Sequence, residues 1–232
     1  MKILVMNPNS TVSMTDKIVE SAQKVVSEGT TIVAATGQDA PASIQGHHDE
    51  AMSVPGLLAR LKQAEADGLD GVVVACFDDP GIRACREVFS GPVLGICEAA
   101  VKGASMIATS FSVVTTLPRS VPVIEHLIHG YGLSHQCKRV RSAEIPVLAL
   151  EEEGSGARDR VRDEILKAVR EDQCEAIVLG CAGMADLTDW LTRETGVPVI
   201  DGVTVATKMI EGLVACGLKT SKVGGYATPI AA

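Results

Sequence analysis

The sequence predicts an α/β fold of two pseudo-symmetric lobes, each a mostly parallel sheet flanked by helices, with the site in the cleft between them. Two observations support this prediction. Short apolar runs alternate with longer segments of helical period, which is the pattern of a parallel sheet covered by helices. The two halves of the chain also repeat the same succession of motifs at nearly equal intervals, which indicates two similar structural units.

The apolar runs and the helical periodicity give the order of the elements. Strands are predicted at 3–6, 31–35, 71–75, 92–95, 111–115, 139–149, 176–180 and 198–200. Helices are predicted near 11–28, 50–67, 80–89, 98–108, 119–131, 156–172, 184–194 and 203–216. Asp79 followed by Pro80 is a strong signal for a helix that starts there, with Asp79 as its cap. The segment Thr36–Asp49 contains Gly, Pro, Ser and two His, and is expected to be a loop.

The repeat places two cysteines in equivalent positions. Asn9 precedes Cys76 by 67 residues, and Thr116 precedes Cys181 by 65 residues. Each cysteine lies 15 residues before the glycine that introduces the next strand. Both thiols are therefore expected at the carboxyl ends of parallel strands, where open α/β sheets bind ligands. We expect residues 1–100 plus 203–232 to form the first lobe and residues 101–202 the second.

Composition limits the classes of partner. The formal net charge of −8 argues against nucleic acid, because a phosphate backbone requires a basic face. The first apolar run is too short for a signal peptide, and no apolar stretch approaches the roughly 20 residues that span a bilayer. We therefore expect a cytoplasmic protein with a small-molecule partner and no membrane association.

The seven cysteines include no Cys-x-x-Cys pair and no Cys/His cluster at zinc spacing. Reduced thiols and no bound metal are expected from this pattern. Four of them lie in or beside predicted helices among Ala and Val, where cysteine commonly serves as a small hydrophobic residue. These four are Cys85, Cys97, Cys174 and Cys216.

Cys76 and Cys181 differ from the other cysteines because each closes a predicted strand and precedes a predicted helix. A thiol at this position meets the positive end of the helix dipole and free backbone N–H groups, which favour thiolate and lower the pKa. One thiolate can then take a proton from carbon while the other thiol supplies one to the opposite face, with no cofactor. The alternative is that both are unreactive cysteines buried at strand ends.

Polar residues near the strand ends are candidates for substrate binding. Asn9-Ser10 and Thr115-Thr116 fall at the ends of the first strand of each half, and their donors can stabilise an enolate as the proton leaves. Helix capping and turn formation explain the same residues equally well. Catalysis by the adjacent carboxyl groups of Asp78 and Asp79 is less favoured, because Asp79 already has a role as a cap. His47-His48 are interpreted as solvated loop residues, with a substrate contact as the alternative.

These motifs together resemble the aspartate/glutamate racemase superfamily, and within it the hydantoin and allantoin racemases. The resemblance covers nearly the whole chain, through Met-Asn-Pro-Asn9-Ser10, Ala75-Cys76-Phe77-Asp78-Asp79-Pro80-Gly81, Thr115-Thr116 and Gly180-Cys181-Ala182-Gly183-Met184. It implies a cofactor-independent racemase of 5-monosubstituted hydantoins or of allantoin, with the two cysteines as base and acid. It also implies a homo-oligomer, since members of the superfamily commonly assemble. By position it assigns contacts with a cyclic ureide substrate to Asn9, Phe77, Asp78, Thr116, Ala182 and Gly183.

Departures from the superfamily pattern narrow the expected substrate. Amino-acid racemases of this superfamily usually carry Thr-His directly after the second cysteine, where this sequence has Ala182-Gly183. That difference disfavours free glutamate or aspartate and favours a neutral cyclic substrate. The related arylmalonate decarboxylases rely on a single catalytic cysteine, so two thiols speak against that activity. Two alternatives stay open: a maleate-type cis–trans isomerase with covalent attack by one cysteine, and a non-catalytic protein that binds a small molecule between similar lobes.

Overall fold

The structure is a computed structural model that describes residues 1–152 and 154–230. Over these residues eight strands alternate with eight α-helices, and neighbouring strands pair in parallel. The strands are β1 (Lys2–Asn7), β2 (Thr31–Thr36), β3 (Gly71–Val74), β4 (Val93–Gly95), β5 (Phe111–Thr115), β6 (Cys137–Ser142), β7 (Ala176–Leu179) and β8 (Val199–Ile200). The helices are α1 (Val12–Gln23), α2 (His47–Ala66), α3 (Ile82–Val88), α4 (Ile96–Ile107), α5 (Val121–Gly130), α6 (Ala157–Glu171), α7 (Thr188–Thr195) and α8 (Gly202–Ala215).

The strands form two four-stranded sheets with the same topology. The order is β2-β1-β3-β4 in the first sheet and β6-β5-β7-β8 in the second. Met6 of β1 lies opposite Val74 of β3, and Val114 of β5 lies opposite Leu179 of β7. The inner strands β3 and β7 are wholly buried and built from Val, Ile, Leu, Ala and Gly, because helices cover both faces of a parallel sheet. The repeated order confirms the predicted α/β class and the two similar lobes.

Helices α4 and α8 pack against each other where the two sheets meet. Helix α4 follows β4 of the first sheet and contacts α5 and β7 of the second half, whereas α8 follows β8 and packs on β3 and β4. One buried cluster contains Val5, Val73, Ala99, Val113 and Val203, which come from both sheets and both helices. The two halves thus share a core. The division into 1–100 plus 203–232 and 101–202 stays a prediction, and its residues 231–232 lie outside the described chain.

The predicted strand at 139–149 is wrong in its second half. Strand β6 ends at Ser142, whose hydroxyl donates to the Thr116 carbonyl and accepts from the Glu144 N–H. Such local side-chain bonds compete with a strand ladder, and Pro146 has no N–H to donate to one. The apolar residues that follow form a 3₁₀ segment, Val147–Glu151.

Helix α2 starts earlier than predicted. His47 and His48 open the helix rather than lying in the preceding loop, and Asp49 and Glu50 occupy its first turn, where the helix dipole favours negative charge. The helix has 20 residues and many of them are polar. Neither it nor any other helix in the described parts of the chain is long and apolar enough to cross a membrane.

All seven cysteines are free thiols. Cys85, Cys97 and Cys174 are buried, which agrees with their predicted role as small hydrophobic residues. Cys216 is exposed, because it directly follows the end of α8, so the same prediction is wrong for that residue.

Candidate active site

Cys76 lies two residues beyond the carboxyl end of β3. The backbone N–H of Ala75 donates to the Met6 carbonyl at 2.8 Å, which continues the pairing with β1. The chain then turns, and the N–H of Asp79 donates to the Cys76 carbonyl at 3.1 Å. The thiol is therefore carried by a tight turn at the carboxyl edge of the first sheet.

Cys181 is held by the same pattern of hydrogen bonds in the second sheet. The Gly180 N–H donates to the Val114 carbonyl at 2.8 Å, and the Met184 N–H donates to the Cys181 carbonyl at 3.1 Å. Glycine is required at position 180, because a Cβ there would lie only 2.7 Å from the Cβ of Thr115. The two cysteine turns are equivalent parts of the repeated fold.

Both thiols line one small cavity between the two sheets. The cavity wall includes eight of the predicted site residues: Asn9, Cys76, Phe77, Asp78, Thr115, Thr116, Cys181 and Ala182. Its volume is about 30 Å³, room for about two water molecules. A five-membered ring needs more room than this, so we expect part of the wall to move when such a ligand binds.

Two predicted site residues do not line this cavity. Ser10 is exposed, and its backbone N–H donates to the Pro41 carbonyl at 3.0 Å. Gly183 is part of the Cys181 turn itself, where its backbone N–H hydrogen bonds to the Cys181 sulfur. Gly183 therefore acts on the site through the hydrogen bond from its backbone N–H to the Cys181 thiol.

Asn9 combines the two roles that the sequence left open. Its side-chain oxygen accepts hydrogen bonds of 2.9 Å from the Thr11 N–H and from the Asn7 side chain, which fixes the turn that leads into α1. Its side-chain nitrogen has the Met14 sulfur as a partner at 3.2 Å, and a thioether is a weak acceptor. The amide N–H group of Asn9 is therefore available to a carbonyl oxygen in the cavity.

Thr115 has mainly a structural role. Its hydroxyl donates to the Gly180 carbonyl at 2.9 Å and so joins the ends of β5 and β7. The carbonyl of the next residue, Thr116, accepts from the Ile145 N–H at 3.0 Å. These bonds fix the strand end beside Cys181.

Burial raises the pKa of both thiols, well above the usual range for Cys76 and to about 11 for Cys181. Each sulfur accepts a hydrogen bond from the backbone N–H two residues further on, at Asp78 and at Gly183, which lowers its pKa by less than burial raises it. The charge of Asp78 raises both further. The predicted low thiol pKa is therefore wrong for this closed form, because removal from water outweighs the N–H groups of the turns.

Asp78 is a buried carboxyl group in the cavity wall. Burial, followed by the charge of Glu50, raises the pKa of Asp78 to about 7, and His47 opposes the shift. Within the described chain no protein donor bonds to this carboxyl group, so it can bind a polar group of a ligand. His47 and His48 are themselves exposed at the start of α2 and do not line the cavity.

Six residues of the wall were not predicted as site residues: Ala75 and Gly180, which directly precede the two cysteines, and Met14, Ile44, Ser120 and Val147. Ile44 is the one large apolar residue in the polar segment Thr36–Asp49, and this isolated apolar side chain could have indicated a buried contact there. Val147 lies in the 3₁₀ segment that the sequence assigns to a strand. Met14 and Ser120 carry no motif, since only the folded chain brings them to the cavity.

A contact between the two halves lies beside the cavity. The Lys17 ammonium group on α1 donates to the Leu150 carbonyl at 3.1 Å and lies 2.9 Å from a Glu151 carboxylate oxygen. Leu150 packs over the Cys181 turn, since a Cβ on Gly183 would lie 3.2 Å from it. Lys17 thus holds the 3₁₀ segment that carries Val147 over the cavity.

Metal-binding groups are scarce around these residues. Among the residues that the structure describes, no three His, Cys, Asp or Glu side chains are grouped so that they would hold a metal ion. The chemical groups available from the described wall are two thiols, one carboxyl group, one amide, the hydroxyl groups of Thr115, Thr116 and Ser120, and the backbone N–H groups.

Comparison with known proteins places the whole chain in one group. The Asp/Glu/Hydantoin racemase family matches residues 3–210. A hydantoin racemase of Rhizobium meliloti is 56% identical over 229 residues, which cover 99% of this chain and 95% of that protein. A hydantoin racemase of Pseudomonas sp. (strain NS671) is 44% identical over 229 residues, which cover 99% of this chain and 92% of that protein.

Solved structures show the same relationship. The allantoin racemase from Klebsiella pneumoniae superposes with a TM-score of 0.98 at 46% identity, covering 100% of this chain and 95% of that chain. The glutamate racemase from Francisella tularensis subsp. tularensis SCHU S4 superposes with a TM-score of 0.66 at 18% identity, covering 95% of this chain and 84% of that chain. The second similarity shows a shared two-lobed fold.

Proposed function

Because the chain belongs to the Asp/Glu/Hydantoin racemase family, we propose that it interconverts D- and L-5-monosubstituted hydantoins by proton transfer between two cysteines and ring carbon C5. The protein is a racemase, and the proposal concerns its substrate and its catalytic groups. The observation that carries it is the presence of Cys76 and Cys181 in one cavity, on equivalent turns of the two sheets. Inversion at one carbon requires a proton acceptor on one face and a donor on the other, which this arrangement supplies.

The proposed reaction transfers one proton in each of two steps. The thiolate of one cysteine takes the C5 hydrogen as a proton, and the C–H electron pair moves into the adjacent carbonyl to form an enolate. The thiol of the other cysteine then gives its proton to the opposite face of C5, and the enolate electrons form the new C–H bond. The first cysteine ends as a thiol and the second as a thiolate, so the enzyme is ready for the other enantiomer.

The cavity wall supports a neutral ring rather than an amino acid. The Asn9 amide N–H group is placed to donate to a ring carbonyl, where negative charge develops in the enolate. The Asp78 carboxylate can accept a ring N–H, and it would repel a substrate carboxylate. The described wall holds no Lys or Arg side chain that would pair with such a carboxylate. Free aspartate and glutamate are therefore disfavoured.

Allantoin is the second candidate substrate, because it is itself a hydantoin with a ureido group at C5. The similarity to the Klebsiella pneumoniae allantoin racemase supports it. The apolar side chains of Met14, Ile44 and Val147 support an alkyl or aryl substituent instead. Burying a ureido group against them would leave its N–H groups without partners, which costs free energy.

The substrate assignment is tested by polarimetry on single enantiomers. We expect the optical rotation of L-5-benzylhydantoin and L-5-isopropylhydantoin to decay to zero with catalytic enzyme, at rates well above the enzyme-free control. We expect allantoin to react with a lower kcat/KM, and L-aspartate and L-glutamate to keep their rotation. A higher kcat/KM for allantoin would favour the second candidate, and racemisation of the amino acids alone would overturn the proposal.

A further inference from the structure

The carboxyl group of Asp79 caps a helix that is distant in sequence. One carboxylate oxygen accepts from the Cys97 N–H at 3.0 Å, and the other accepts from the Glu98 N–H at 2.9 Å. These are free N–H groups in the first turn of α4. The prediction that Asp79 caps the helix directly after it is therefore wrong, and Gly81 precedes that helix instead.

Tyr131 adds a third donor to the same carboxyl group. Its hydroxyl donates to Asp79 at 2.6 Å. Tyr131 directly follows α5, which packs against α4 and β6 of the second half of the chain. Asp79 itself is almost fully buried, with 3% of its surface exposed. The turn after β3 is thus tied to the place where α4 and α5 meet.

The same residue also closes the Cys76 turn through its backbone. Its N–H donates to the Cys76 carbonyl at 3.1 Å, and its backbone has a positive φ of 44°. This left-handed conformation is uncommon for a residue with a side chain, and the three donors to the carboxyl group hold it. Gly95 makes room for this arrangement, because a Cβ there would lie 2.1 Å from an Asp79 carboxylate oxygen.

The equivalent turn in the second sheet has no such anchor. The residue that corresponds to Asp79 is Met184, whose N–H closes the Cys181 turn with a bond of the same 3.1 Å length. Met184 is fully buried in an apolar cluster with Leu187 and Leu191. Packing therefore holds the Cys181 turn, whereas a carboxyl group with three donors holds the Cys76 turn.

We propose that Asp79 is a positioning residue for Cys76 alone, fixing the sulfur at the distance from C5 that proton transfer needs. This inference rests on the proposed racemase mechanism. Asp79 and Tyr131 then affect only the face of the substrate that Cys76 serves. Tyr131 bonds to Asp79, and Asp79 closes the Cys76 turn. Loss of one donor should let that turn shift while the Cys181 turn keeps its place.

The test uses two variants. Tyr131→Phe removes one of the three donors, and Asp79→Asn keeps the donors but replaces one acceptor oxygen with an NH₂ group. Tyr226→Phe is the matched control, because it removes the chain's other tyrosine hydroxyl. We expect kcat to fall roughly tenfold to a hundredfold in both Asp79 and Tyr131 variants, with KM changed less, since a small misplacement of a catalytic group has effects of this size. Tyr226→Phe should keep the wild-type kcat.

If Asp79 and Tyr131 only stabilised the fold, their loss would affect proton transfer equally on both faces of C5. Deuterium exchange at C5 is therefore measured for each enantiomer in deuterated water. The enantiomer that still exchanges in Cys76→Ala is the one deprotonated by Cys181. For that enantiomer the ratio of exchange to inversion should rise in Tyr131→Phe, because Cys76 then protonates the opposite face more slowly. For the other enantiomer the ratio should fall, because return of the proton from Cys76 is the slowed step. A folded Tyr131→Phe enzyme with wild-type kcat, or an equal change for both enantiomers, would overturn the inference. Absence of racemisation in the wild type would instead contradict the proposed function.

Discussion

Cys76 and Cys181 face one cavity from equivalent turns, and each sulfur accepts a hydrogen bond from the backbone N–H two residues further along the chain. The strand order, the bond that precedes each cysteine and the bond that closes each turn are repeated in the two halves. The repeated fold therefore places one thiol from each sheet in the wall of the same cavity. The surroundings of the two turns differ, because Asp79 accepts bonds from α4 and Tyr131 whereas Met184 packs in an apolar cluster.

The pH dependence of thiol alkylation should show that both site thiols are protonated near neutral pH. With the pKa of Cys181 raised to about 11 and that of Cys76 raised well above its usual range, the thiolate fraction is small and grows about tenfold per pH unit. We expect iodoacetamide to modify both cysteines at rates that rise throughout pH 7 to 9, measured by peptide mass spectrometry. The exposed Cys216 serves as the internal control for reagent access. Rates at the site that level off below about pH 8 would contradict the raised pKa values.

Asp78→Asn should stabilise the protein more at pH 8 than at pH 5. The folded protein holds the Asp78 proton up to about pH 7, whereas the unfolded chain loses it near 3.8, so ionisation of Asp78 lowers stability as pH rises from about 4 to 7. The asparagine variant avoids this loss, which is at most ~4 kcal/mol and is smaller where water reaches the cavity. Urea unfolding at both pH values measures the change in the free energy of unfolding, and Asp16→Asn, at an exposed residue, is the control. An equal effect of both substitutions at pH 8 would contradict the prediction.

Lys17→Met should weaken the closed state of the cavity. The substitution keeps most of the unbranched apolar side chain and removes its bonds to the Leu150 carbonyl and to Glu151. These partly buried contacts are worth about 1 kcal/mol, so KM should rise roughly twofold to tenfold, with little loss of folding stability. Steady-state kinetics measure the change, and Lys24→Met removes an exposed pair with Glu20 on the same part of the chain as a control. Equal KM values for the two variants would argue against a role of Lys17 in closure.

Gly180→Ala and Gly212→Ala should have opposite effects on stability. A Cβ at Gly180 would lie 2.7 Å from the Cβ of Thr115, so we expect a loss of about 1–3 kcal/mol and a lower kcat as the Cys181 turn shifts. A Cβ at Gly212 meets nothing within 4 Å, and alanine favours the interior of α8 by about 0.5–1 kcal/mol. Thermal unfolding of both variants provides the comparison. Unchanged stability in Gly180→Ala would show that the two strand ends can separate freely.

The order of elements and the two cysteine positions could be predicted from the sequence because they depend on local pattern. Buried parallel strands such as Gly71–Val74 and Ala176–Leu179 form continuous apolar runs, and the equal intervals relate the two halves. The strand predicted at 139–149 is wrong in its second half. The apolar residues after Pro146 have the pattern of a buried strand, but they form a 3₁₀ segment over the cavity.

The parts of the site that could not be predicted depend on contacts between distant residues. Asp79 precedes Pro80, which is the local pattern of a helix cap, but its carboxyl group bonds to α4 and Tyr131 instead. The thiol pKa values depend on how completely the two sheets enclose Cys76 and Cys181, and local sequence gives only the nearby N–H groups. Both features follow from the way the two halves meet.

Proton transfer by Cys76 and Cys181 is tested most directly by deuterium incorporation at C5 of each hydantoin enantiomer in deuterated water. The enzymes compared are the wild type, Cys76→Ala, Cys181→Ala and the control Cys216→Ala. We expect each active-site variant to lose net racemisation by roughly a hundredfold to ten-thousandfold, and to exchange only the enantiomer whose C5 hydrogen faces its remaining cysteine. Cys216→Ala should behave as the wild type. Wild-type racemisation by either active-site variant, or exchange of the same enantiomer by both, would contradict the two-cysteine account.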